Sequence, residues 1–404
     1  MNILITGANG FVGTNVSRYL TAQGLKCLAL DIAGAPEQGA YVARYTWDAL
    51  DAIPWHEVGV VIHLAGKAHD TKNTSDPQSY FDINVGLTTR ILSALVHYCE
   101  SALVEESEKV KAKSEKLGDE STNELTNYRT NALKKFIFFS SVKACADVVE
   151  GVLTEEQAPM PQTPYGKSKL EAEKEVLKFE SAKVLKLKMK DETGNLKLGE
   201  EEREVLKFES AKVLKCNGSD MQCSEAGEGL SNFRTLELQN FRTYILRPAM
   251  IHGPGNKGNL NLLLKVVQKG IPWPLGAFEN QRSFTSIENV SRVLEALIKT
   301  DVEPGTYQVA DDETLSTNQV IGLIAESLGR TPRIWKIASG LMRRVARIGD
   351  VLHLPLNSER LKKLTESYVV SNRKLLRALG WQKMPVSAPE GMRATLIATT
   401  KWSQ

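Results

Sequence analysis

The N-terminal stretch Ile3-Leu-Ile-Thr-Gly-Ala-Asn-Gly-Phe-Val-Gly13 decides the fold of this chain of 404 residues. Its apolar run predicts a buried strand, its glycines predict a tight turn, and residues 14–23 continue as a predicted helix. A second apolar run over residues 25–30 ends at Asp31. This order of strand, glycine turn, helix, strand and acid is typical of a dinucleotide-binding βαβ unit.

Each part of this unit has a physical role in binding a dinucleotide. The glycines permit a tight turn, close approach of a pyrophosphate to the backbone, and packing of the helix on the strand. The free N–H groups and partial positive charge of the helix N-terminus favour phosphate. Asp31 can accept hydrogen bonds from ribose hydroxyls, and its charge would repel the 2′-phosphate of NADP, which favours NAD. Glycines also serve as plain turn punctuation, but their position between two strands favours the nucleotide-binding interpretation.

Strands and helices continue to alternate further along the chain. Val58–Gly66 is a predicted buried strand that ends in small residues, and Tyr80–Gly86 opens a long helix. Lys135–Phe139 is a further strand that leads into Ser140 and Ser141. This alternation predicts an α/β fold with a Rossmann-like doubly wound parallel sheet, followed by a smaller C-terminal substrate-binding lobe.

Two charged stretches interrupt the predicted nucleotide-binding domain. We predict a NAD-binding Rossmann domain over residues 1–246, with insertions at about 101–131 and 187–235, and a mainly substrate-binding lobe over 247–404. The twelve residues Glu175–Lys186 recur letter for letter 29 positions later, which indicates a tandem duplication. The insertions are interpreted as helical or disordered surface additions, and the alternative is a surface for an oligomer or a partner protein.

Tyr165-Gly-Lys-Ser-Lys169 places a tyrosine and a lysine four positions apart in a strongly helical context, so both side chains share one helical face. Tyrosine ordinarily titrates near pH ~10 and is a poor base. A neighbouring ammonium and the positive nicotinamide of NAD⁺ are expected to lower that pKa. Tyr165 could then take a proton from a substrate hydroxyl while hydride leaves the same carbon, with Ser141 holding the oxygen and Lys169 orienting the nicotinamide ribose.

Together these motifs resemble an extended short-chain dehydrogenase/reductase of the NAD-dependent nucleotide-sugar epimerase/dehydratase family. The matching segments are residues 6–13, 31, 63–66, 84–86, 140–141, 165–169 and 246–254. The resemblance implies the catalytic residues Ser141, Tyr165 and Lys169, with Asn84 as a fourth member of the site. It also implies the cofactor NAD, a UDP-sugar substrate, and a homodimer formed through the helices that carry Asn84 and Tyr165.

The resemblance also implies binding residues for both ligands. The implied cofactor-binding residues are Gly7, Asn9, Gly10, Phe11, Val12, Gly13, Asp31, Asp48, Leu64, Ala65, Gly66, Tyr165 and Lys169. Asp48 stands where the family often contacts adenine. The implied substrate-binding residues are Lys143, Asn259, Arg282 and Arg360. The guanidinium of Arg282 can bind diphosphate oxygens bidentately, although a structural ion pair is an alternative role for it.

Three reactions share this machinery in the family: C4 epimerisation, 4,6-dehydration and reduction of a 4-keto sugar. Dehydratases carry an Asp-Glu pair after the catalytic Ser or Thr, whereas this chain has Val142-Lys143, which argues against dehydration. The segment Ser140–Lys143 resembles the signature of a subgroup that handles UDP-N-acetylhexosamines and related 4-keto sugars, and epimerase and 4-ketoreductase both stay open. The alternative from another class is a non-catalytic NAD(P)-binding sensor or scaffold that binds partners through its insertions.

The composition of the chain argues against nucleic-acid-binding, metal-binding and membrane-spanning proteins. The 51 basic and 48 acidic residues leave a net charge of +3, which gives no electrostatic case for nucleic acid. The five cysteines form no Cys-x-x-Cys pair and the six histidines show no metal-ligand spacing, so we predict no metal site. No apolar run approaches the roughly 20 residues of a membrane span. We expect a cytoplasmic enzyme without a membrane span.

Overall fold

The structure is a computed structural model, and it describes residues 1–33, 38–68, 76–117, 133–191, 241–256, 260–352 and 357–401. Side chains are described within these ranges except at 99–117, 182–191 and 400–401. Of the two predicted insertions, residues 101–117 and 187–191 form the ends of two helices. The remainder of both insertions, with the second copy of the repeat, lies outside the described residues.

Strands and helices alternate through the described residues. The strands are β1 (Asn2–Thr6), β2 (Lys26–Asp31), β3 (Ala43–Thr46), β4 (Val58–His63), β5 (Lys135–Phe139), β6 (Val152–Leu153), β7 (Arg242–Pro248), β8 (Met250–His252), β9 (Arg282–Ser286), β10 (Gly305–Val309), β11 (Thr314–Leu315) and β12 (Val369–Val370). The α-helices are α1 (Phe11–Ala22), α2 (Gln78–Leu117), α3 (Pro164–Asp191), α4 (Leu260–Gln268), α5 (Ile287–Lys299), α6 (Thr317–Ser327), α7 (Ser339–Leu352), α8 (Ser358–Thr365), α9 (Arg373–Leu379) and α10 (Ala388–Lys401).

Seven strands form one sheet in the order β10-β7-β5-β4-β1-β2-β3, and every neighbouring pair is parallel. The first three strands extend from β1 to one edge, and the later strands extend from β4 to the other edge. The strand order therefore reverses between β1 and β4, and sheets of this kind bind ligands beyond the carboxyl ends of the strands at that point. The predicted Rossmann-like doubly wound parallel sheet is confirmed.

Both faces of this sheet are buried. Ile3 and Ile5 of β1 lie in a cluster with residues of α1 and α5, whereas Leu4 lies in a second cluster with residues of α2 and α3. Successive side chains of a strand point to opposite faces, so a strand covered on both sides needs an uninterrupted apolar run. The run at residues 3–5 has this cause, and it fixes β1 inside the sheet.

The C-terminal part of the chain builds two smaller sheets and also completes the large one. The smaller sheets have the orders β11-β9-β8 and β12-β6. Residues of α4, α6 and α10 pack with Phe284 of β9 in a core cluster of their own. However, β10 pairs with β7 from Gly305 against Tyr244 to Val309 against Pro248, so the chain returns to the large sheet after residue 246. No helix in the described ranges combines the length and apolar character needed to cross a membrane.

Candidate active site

The turn after β1 is so close-packed that two of its glycines cannot carry a side chain. Gly7 has a φ of +65°, and a Cβ there would lie 2.8 Å from the Cα of Ala65. A Cβ on Gly13 would lie 2.6 Å from the carbonyl oxygen of Ala8. Backbone contacts of this length, and the left-handed φ at Gly7, require glycine. The turn therefore brings the backbone close to whatever lies at the end of β1.

The N-terminus of α1 is open beside this turn. Within the described residues, its first turn carries no acidic side chain, and the N-cap is Gly10, which has no side chain to cap the helix. The hydroxyl of Thr14 is buried and has no hydrogen-bond partner in the described ranges. Free N–H groups at a helix N-terminus, together with an unsatisfied hydroxyl, are donors that suit a phosphate. The turn thus fits the pyrophosphate of a dinucleotide.

Asp31 ends β2 beside the glycine turn and helps to hold it. Its carboxylate accepts hydrogen bonds from the Asn9 N–H at 2.7 Å and the Ile32 N–H at 2.8 Å. The side-chain oxygen of Asn9 accepts a further hydrogen bond from the Arg44 guanidinium at 3.2 Å. A carboxylate held at the end of the second strand fits the role expected of it toward ribose hydroxyls.

The other predicted cofactor residues fall into two environments. Phe11, Val12 and Leu64 are partly buried and pack against the core cluster under α1. Asp48 follows β3, and its side chain is 84% exposed with one oxygen 3.4 Å from the Arg90 guanidinium. Its predicted contact with adenine stays a prediction.

Ser141, Tyr165 and Lys169 meet at the carboxyl end of β5. Ser141 lies two residues beyond that strand and hydrogen-bonds the Tyr165 side chain. Tyr165 and Lys169 lie about one turn apart at the start of α3. The Lys169 ammonium donates a hydrogen bond of 3.0 Å to the carbonyl oxygen of Phe139, the last residue of β5. The structure therefore brings the three predicted catalytic side chains together.

Asn84 of α2 borders the same group. Its side-chain amide donates to the Ser168 hydroxyl at 2.9 Å, and its side-chain oxygen accepts the Lys67 N–H at 2.7 Å. Gly66 leaves the necessary space, because a Cβ there would lie 2.7 Å from the Asn84 oxygen and 3.1 Å from the Lys169 nitrogen. Asn84 and Lys169 thus converge on the loop that follows β4.

Burial sets the protonation of the two titratable side chains. It raises the pKa of Tyr165, and the hydrogen bond with Ser141 offsets part of that rise. Burial also lowers the pKa of Lys169 to about 8, against the opposing effect of the Glu173 carboxylate. The Lys169 ammonium does not lower the pKa of Tyr165 as expected, because desolvation dominates and the ammonium is directed to the Phe139 carbonyl. The lowering expected from the nicotinamide of NAD⁺ stays a prediction.

Lys143 and Arg282 form a pair of cations near Ser141. The Ser141 hydroxyl accepts the Lys143 N–H at 3.2 Å. The Lys143 ammonium donates to the Asp147 carbonyl at 2.7 Å and lies 4.4 Å from the centre of the Tyr368 ring. Burial lowers the pKa of both cations; Asp147 and Glu366 oppose this at Lys143, Glu366 opposes it at Arg282, and the charge of Arg282 lowers the pKa of Lys143 further. Two desolvated cations that influence each other favour the binding of an anion.

The other two predicted substrate residues are less well defined. Arg360 is exposed on α8, and its N–H is accepted by the side-chain oxygen of Asn357 at 2.8 Å. The same helix carries Lys363, whose charge also lowers the pKa of Lys143, so α8 approaches the pair of cations. Asn259 lies outside the described residues, and its contact with the sugar phosphates stays a prediction.

A buried hydrogen-bond chain behind the site was not expected from the sequence. His63 Nδ1 lies 2.7 Å from the Thr6 hydroxyl, and its Nε2 lies 3.1 Å from the Thr88 hydroxyl. Thr88 donates in turn to the carbonyl of Asn84 at 2.7 Å. Burial and the charge of Lys169 lower the pKa of His63 to about 3, so the ring is neutral. The sequence signal for this link is the four-residue spacing of Asn84 and Thr88 on one helix.

A buried ion pair lies beside Lys169 and also had no sequence signal. Arg247 of β7 donates to both oxygens of Glu173, at 2.9 Å from Nε and 2.6 Å from Nη2. This bidentate pair fixes α3 on the sheet one turn beyond Lys169. Tyr368 is another residue near the site that had no sequence signal. Its hydroxyl donates to the carbonyl of Ala146 at 2.7 Å and so anchors the segment that follows Lys143.

The parallel sheet and the glycine turn define a Rossmann-like α/β protein, and its Ser141–Tyr165–Lys169 group resembles the site of a short-chain dehydrogenase/reductase. Residues 3–189 match the model of the NAD dependent epimerase/dehydratase family. Over these residues the chain is similar to that family. The prediction of NAD as the cofactor is confirmed by this match to an NAD-dependent family and by structural neighbours solved with NAD.

Relatives with described activities span nearly the whole chain. A UDP-glucose 4-epimerase of Vibrio cholerae is 22% identical over 407 residues, which cover 98% of this chain and 95% of the relative. The structure is similar to that of MoeE5 in complex with UDP-glucuronic acid and NAD, with a TM-score of 0.61 and 18% identity over 100% of both chains. It is also similar to a UDP-glucuronic acid 4-epimerase from Bacillus cereus in complex with NAD, with a TM-score of 0.59 and 16% identity over 100% of both chains. At these identities the structural likeness establishes the fold.

Proposed function

We propose that the protein catalyses the NAD-dependent C4 epimerisation of a UDP-linked sugar, with Tyr165 as the acid and base. The observation that carries this proposal is the hydrogen bond between Ser141 and Tyr165, beside the buried ammonium of Lys169. The names of the V. cholerae and B. cereus relatives support both the reaction and the substrate class.

Side chains of the protein would position the substrate hydroxyl and transfer its proton in this reaction. When bound, NAD supplies the acceptor and donor of hydride at the sugar carbon. Ser141 holds the oxygen of the substrate hydroxyl, and Tyr165 takes its proton and later returns it. Because burial raises the pKa of Tyr165, its phenolate needs a positive charge nearby. Lys169, with a pKa of about 8, is charged at neutral pH, but its ammonium is bound to the Phe139 carbonyl and does not lower the pKa of Tyr165. The positive nicotinamide of bound NAD⁺ would supply the charge that favours the phenolate.

Lys143 and Arg282 are the proposed partners of the substrate's negative charge. Both cations are desolvated, and a diphosphate placed between them would compensate that cost through charge-assisted hydrogen bonds. Neither Val142 nor Lys143 offers a carboxylate after Ser141, which argues against 4,6-dehydration.

The organisation of the molecule is a further part of the proposal. Residues 1–246, completed by α5 and β10 from the later part of the chain, would form the NAD-binding domain, and the rest of residues 247–404 would mainly bind the substrate. We infer a homodimer through α2 and α3, which pack on each other within one chain and so can present a joint face to a second copy. It is also supported by two exposed apolar side chains, Ile83 on α2 at 37% and Leu177 on α3 at 49%.

The proposal is tested by incubating the purified protein with NAD and a panel of UDP-sugars. The panel contains UDP-glucose, UDP-galactose, their N-acetyl derivatives and UDP-glucuronic acid, and NMR identifies new sugars. Interconversion of a pair that differs only at C4 supports the proposal. Tyr165→Phe should abolish this turnover while NAD stays bound, and retained turnover in that variant would exclude Tyr165 as the acid and base.

Cofactor retention distinguishes the alternatives. An epimerase must keep its reduced cofactor to return the hydride, so it is expected to purify with cofactor bound. A protein that purifies without cofactor, and that consumes NADH with a 4-keto sugar, is a 4-ketoreductase. A protein that binds NAD but converts none of these sugars is a non-catalytic sensor or scaffold.

A further inference from the structure

Helix α7 carries apolar side chains on two different sides. On its inner side Met342, Ala346 and Gly349 are buried. Met342 and Ala346 pack in a core cluster with Trp273 and Leu275. An amphipathic surface helix packs on the core through one apolar stripe, and these inner residues of α7 form that stripe.

The outer side of α7 carries a second apolar stripe that faces solvent. Its large side chains are exposed by 54% at Leu341, 38% at Val345, 54% at Ile348, 75% at Val351 and 62% at Leu352. Positions 341, 345, 348 and 352 follow the spacing of four, three and four that places residues on one helical face. An exposed apolar stripe of this length marks a surface that contacts another apolar phase.

Basic residues lie along the same segment. Residues 333–352 contain five basic residues and one acidic residue, namely Arg333, Lys336, Arg343, Arg344 and Arg347 against Asp350. Five minus one gives +4, which exceeds the +3 of the whole chain. The one carboxylate is engaged elsewhere, since Asp350 accepts hydrogen bonds from the N–H of Ser358 at 2.8 Å and from its hydroxyl at 2.6 Å. The exposed surface of α7 therefore carries an apolar stripe bordered by Arg344, with Arg343 and Arg347 further round the helix.

Trp335 lies four positions before the first residue of α7 and is 57% exposed. A helix with an apolar stripe, arginines beside it and a tryptophan near one end has the composition of helices that lie in a membrane interface. Arginine stems cover apolar surface while their guanidinium groups reach lipid phosphates. A second copy docked through the same stripe would bring two sets of arginines into one interface, and their repulsion disfavours that occupant.

We propose that α7 and Trp335 dock the protein on the surface of an anionic membrane. The helix lies in the plane of the bilayer, with Leu341, Val345 and Ile348 at the boundary between headgroups and acyl chains. The arginines of α7 contact the phosphates of anionic lipids, which makes the contact sensitive to salt. This peripheral contact needs no helix that crosses the bilayer.

Co-sedimentation of the full-length protein with vesicles tests the proposal. We expect binding to vesicles that contain phosphatidylglycerol, weaker binding to pure phosphatidylcholine, and release by salt. Ile348→Asp should lower the vesicle affinity about tenfold or more, because it places a charge in the apolar stripe. Replacing Arg344 or Arg347 by Gln should lower it about fivefold each.

The matched control is Ile397→Asp on α10, where the apolar side chain is 51% exposed. This variant should bind vesicles as the unchanged protein does. Circular dichroism melts of all variants establish that they are folded before binding is compared. The proposal is overturned if the protein binds neither kind of vesicle, or if Ile348→Asp binds like the control. It is also overturned if the stripe mediates self-association or protein capture without vesicle binding.

Discussion

The Lys169 ammonium donates a hydrogen bond of 3.0 Å to the carbonyl oxygen of Phe139, which joins the start of α3 to the last residue of β5. Ser141 follows that strand, and Tyr165 precedes Lys169 on that helix. One hydrogen bond thus fixes the strand that leads into Ser141 against the helix that carries Tyr165, the proposed acid and base. It does so with a buried cation, whose pKa falls from 10.5 to about 8.

Replacing Lys169 should lower turnover without lowering the stability of the fold. Its folded pKa lies below the unfolded value, so the ammonium destabilises the fold by about 3 kcal/mol below pH ~8, and this cost disappears as pH rises toward ~10.5. Lys169→Met should therefore lower turnover about 100-fold or more without lowering the free energy of unfolding at pH ~7. Urea denaturation and turnover assays measure both quantities.

Lys174→Met on the same helix is the control for this variant. Lys174 is exposed and pairs with Glu171 at 2.9 Å, so its loss should change stability by less than about 0.5 kcal/mol and leave turnover unchanged. Full activity in Lys169→Met would contradict the role proposed for Lys169.

Gly66→Ala should damage the site without unfolding the sheet. The added Cβ would lie 2.7 Å from the Asn84 oxygen and 3.1 Å from the Lys169 nitrogen, so one or both side chains must move. A displacement near 1 Å at a catalytic group costs about 100-fold in rate, and we expect a loss of turnover of that order. Gly86→Ala is the control, because no atom lies within 4 Å of a Cβ there. It should keep its turnover and gain roughly 0.5–1 kcal/mol of stability as a helical position.

His63 should make the fold sensitive to acid. The pKa of His63 is about 3 in the folded protein, below its ordinary value of 6.5. The neutral ring therefore makes its full contribution to the free energy of unfolding above pH 6.5, and this contribution is lost as pH falls toward 3. Between pH ~6.5 and ~5 this loss amounts to about 2 kcal/mol of the free energy of unfolding. His63→Gln should remove this part of the pH dependence in urea denaturation. His56→Gln, at an exposed histidine, should keep it, and equal profiles for both variants would refute the assignment.

Arg282→Met should weaken substrate binding more than it affects the cofactor. Loss of charge-assisted hydrogen bonds to a diphosphate corresponds to roughly a 10- to 100-fold rise in KM for the UDP-sugar, with bound NAD unchanged. Arg292→Met is the control, because Arg292 is paired on the surface with Glu288 at 2.8 Å. An unchanged KM in Arg282→Met would show that the diphosphate is bound elsewhere.

Much of the fold was predictable because its signals are local. The run at residues 3–5 is apolar because β1 is covered on both faces, and the turn needs glycine because a Cβ at Gly7 or Gly13 would meet backbone atoms. The spacing of Tyr165 and Lys169 likewise specifies a shared helical face. The pKa of Tyr165 was not predictable in this way, because its largest determinant is burial by residues distant in sequence.

By itself the sequence determined the βαβ unit, the order of strands and helices, and the helical face that carries Tyr165 and Lys169. These features depend on side-chain period and on sterics between near neighbours. Only the tertiary structure decided that Lys143 and Tyr368 meet across the fold, and that α7 keeps a second apolar stripe in solvent. The physical reason is that burial and long-range contact depend on which elements pack together, and a helical pattern alone does not say which of its faces the core will cover.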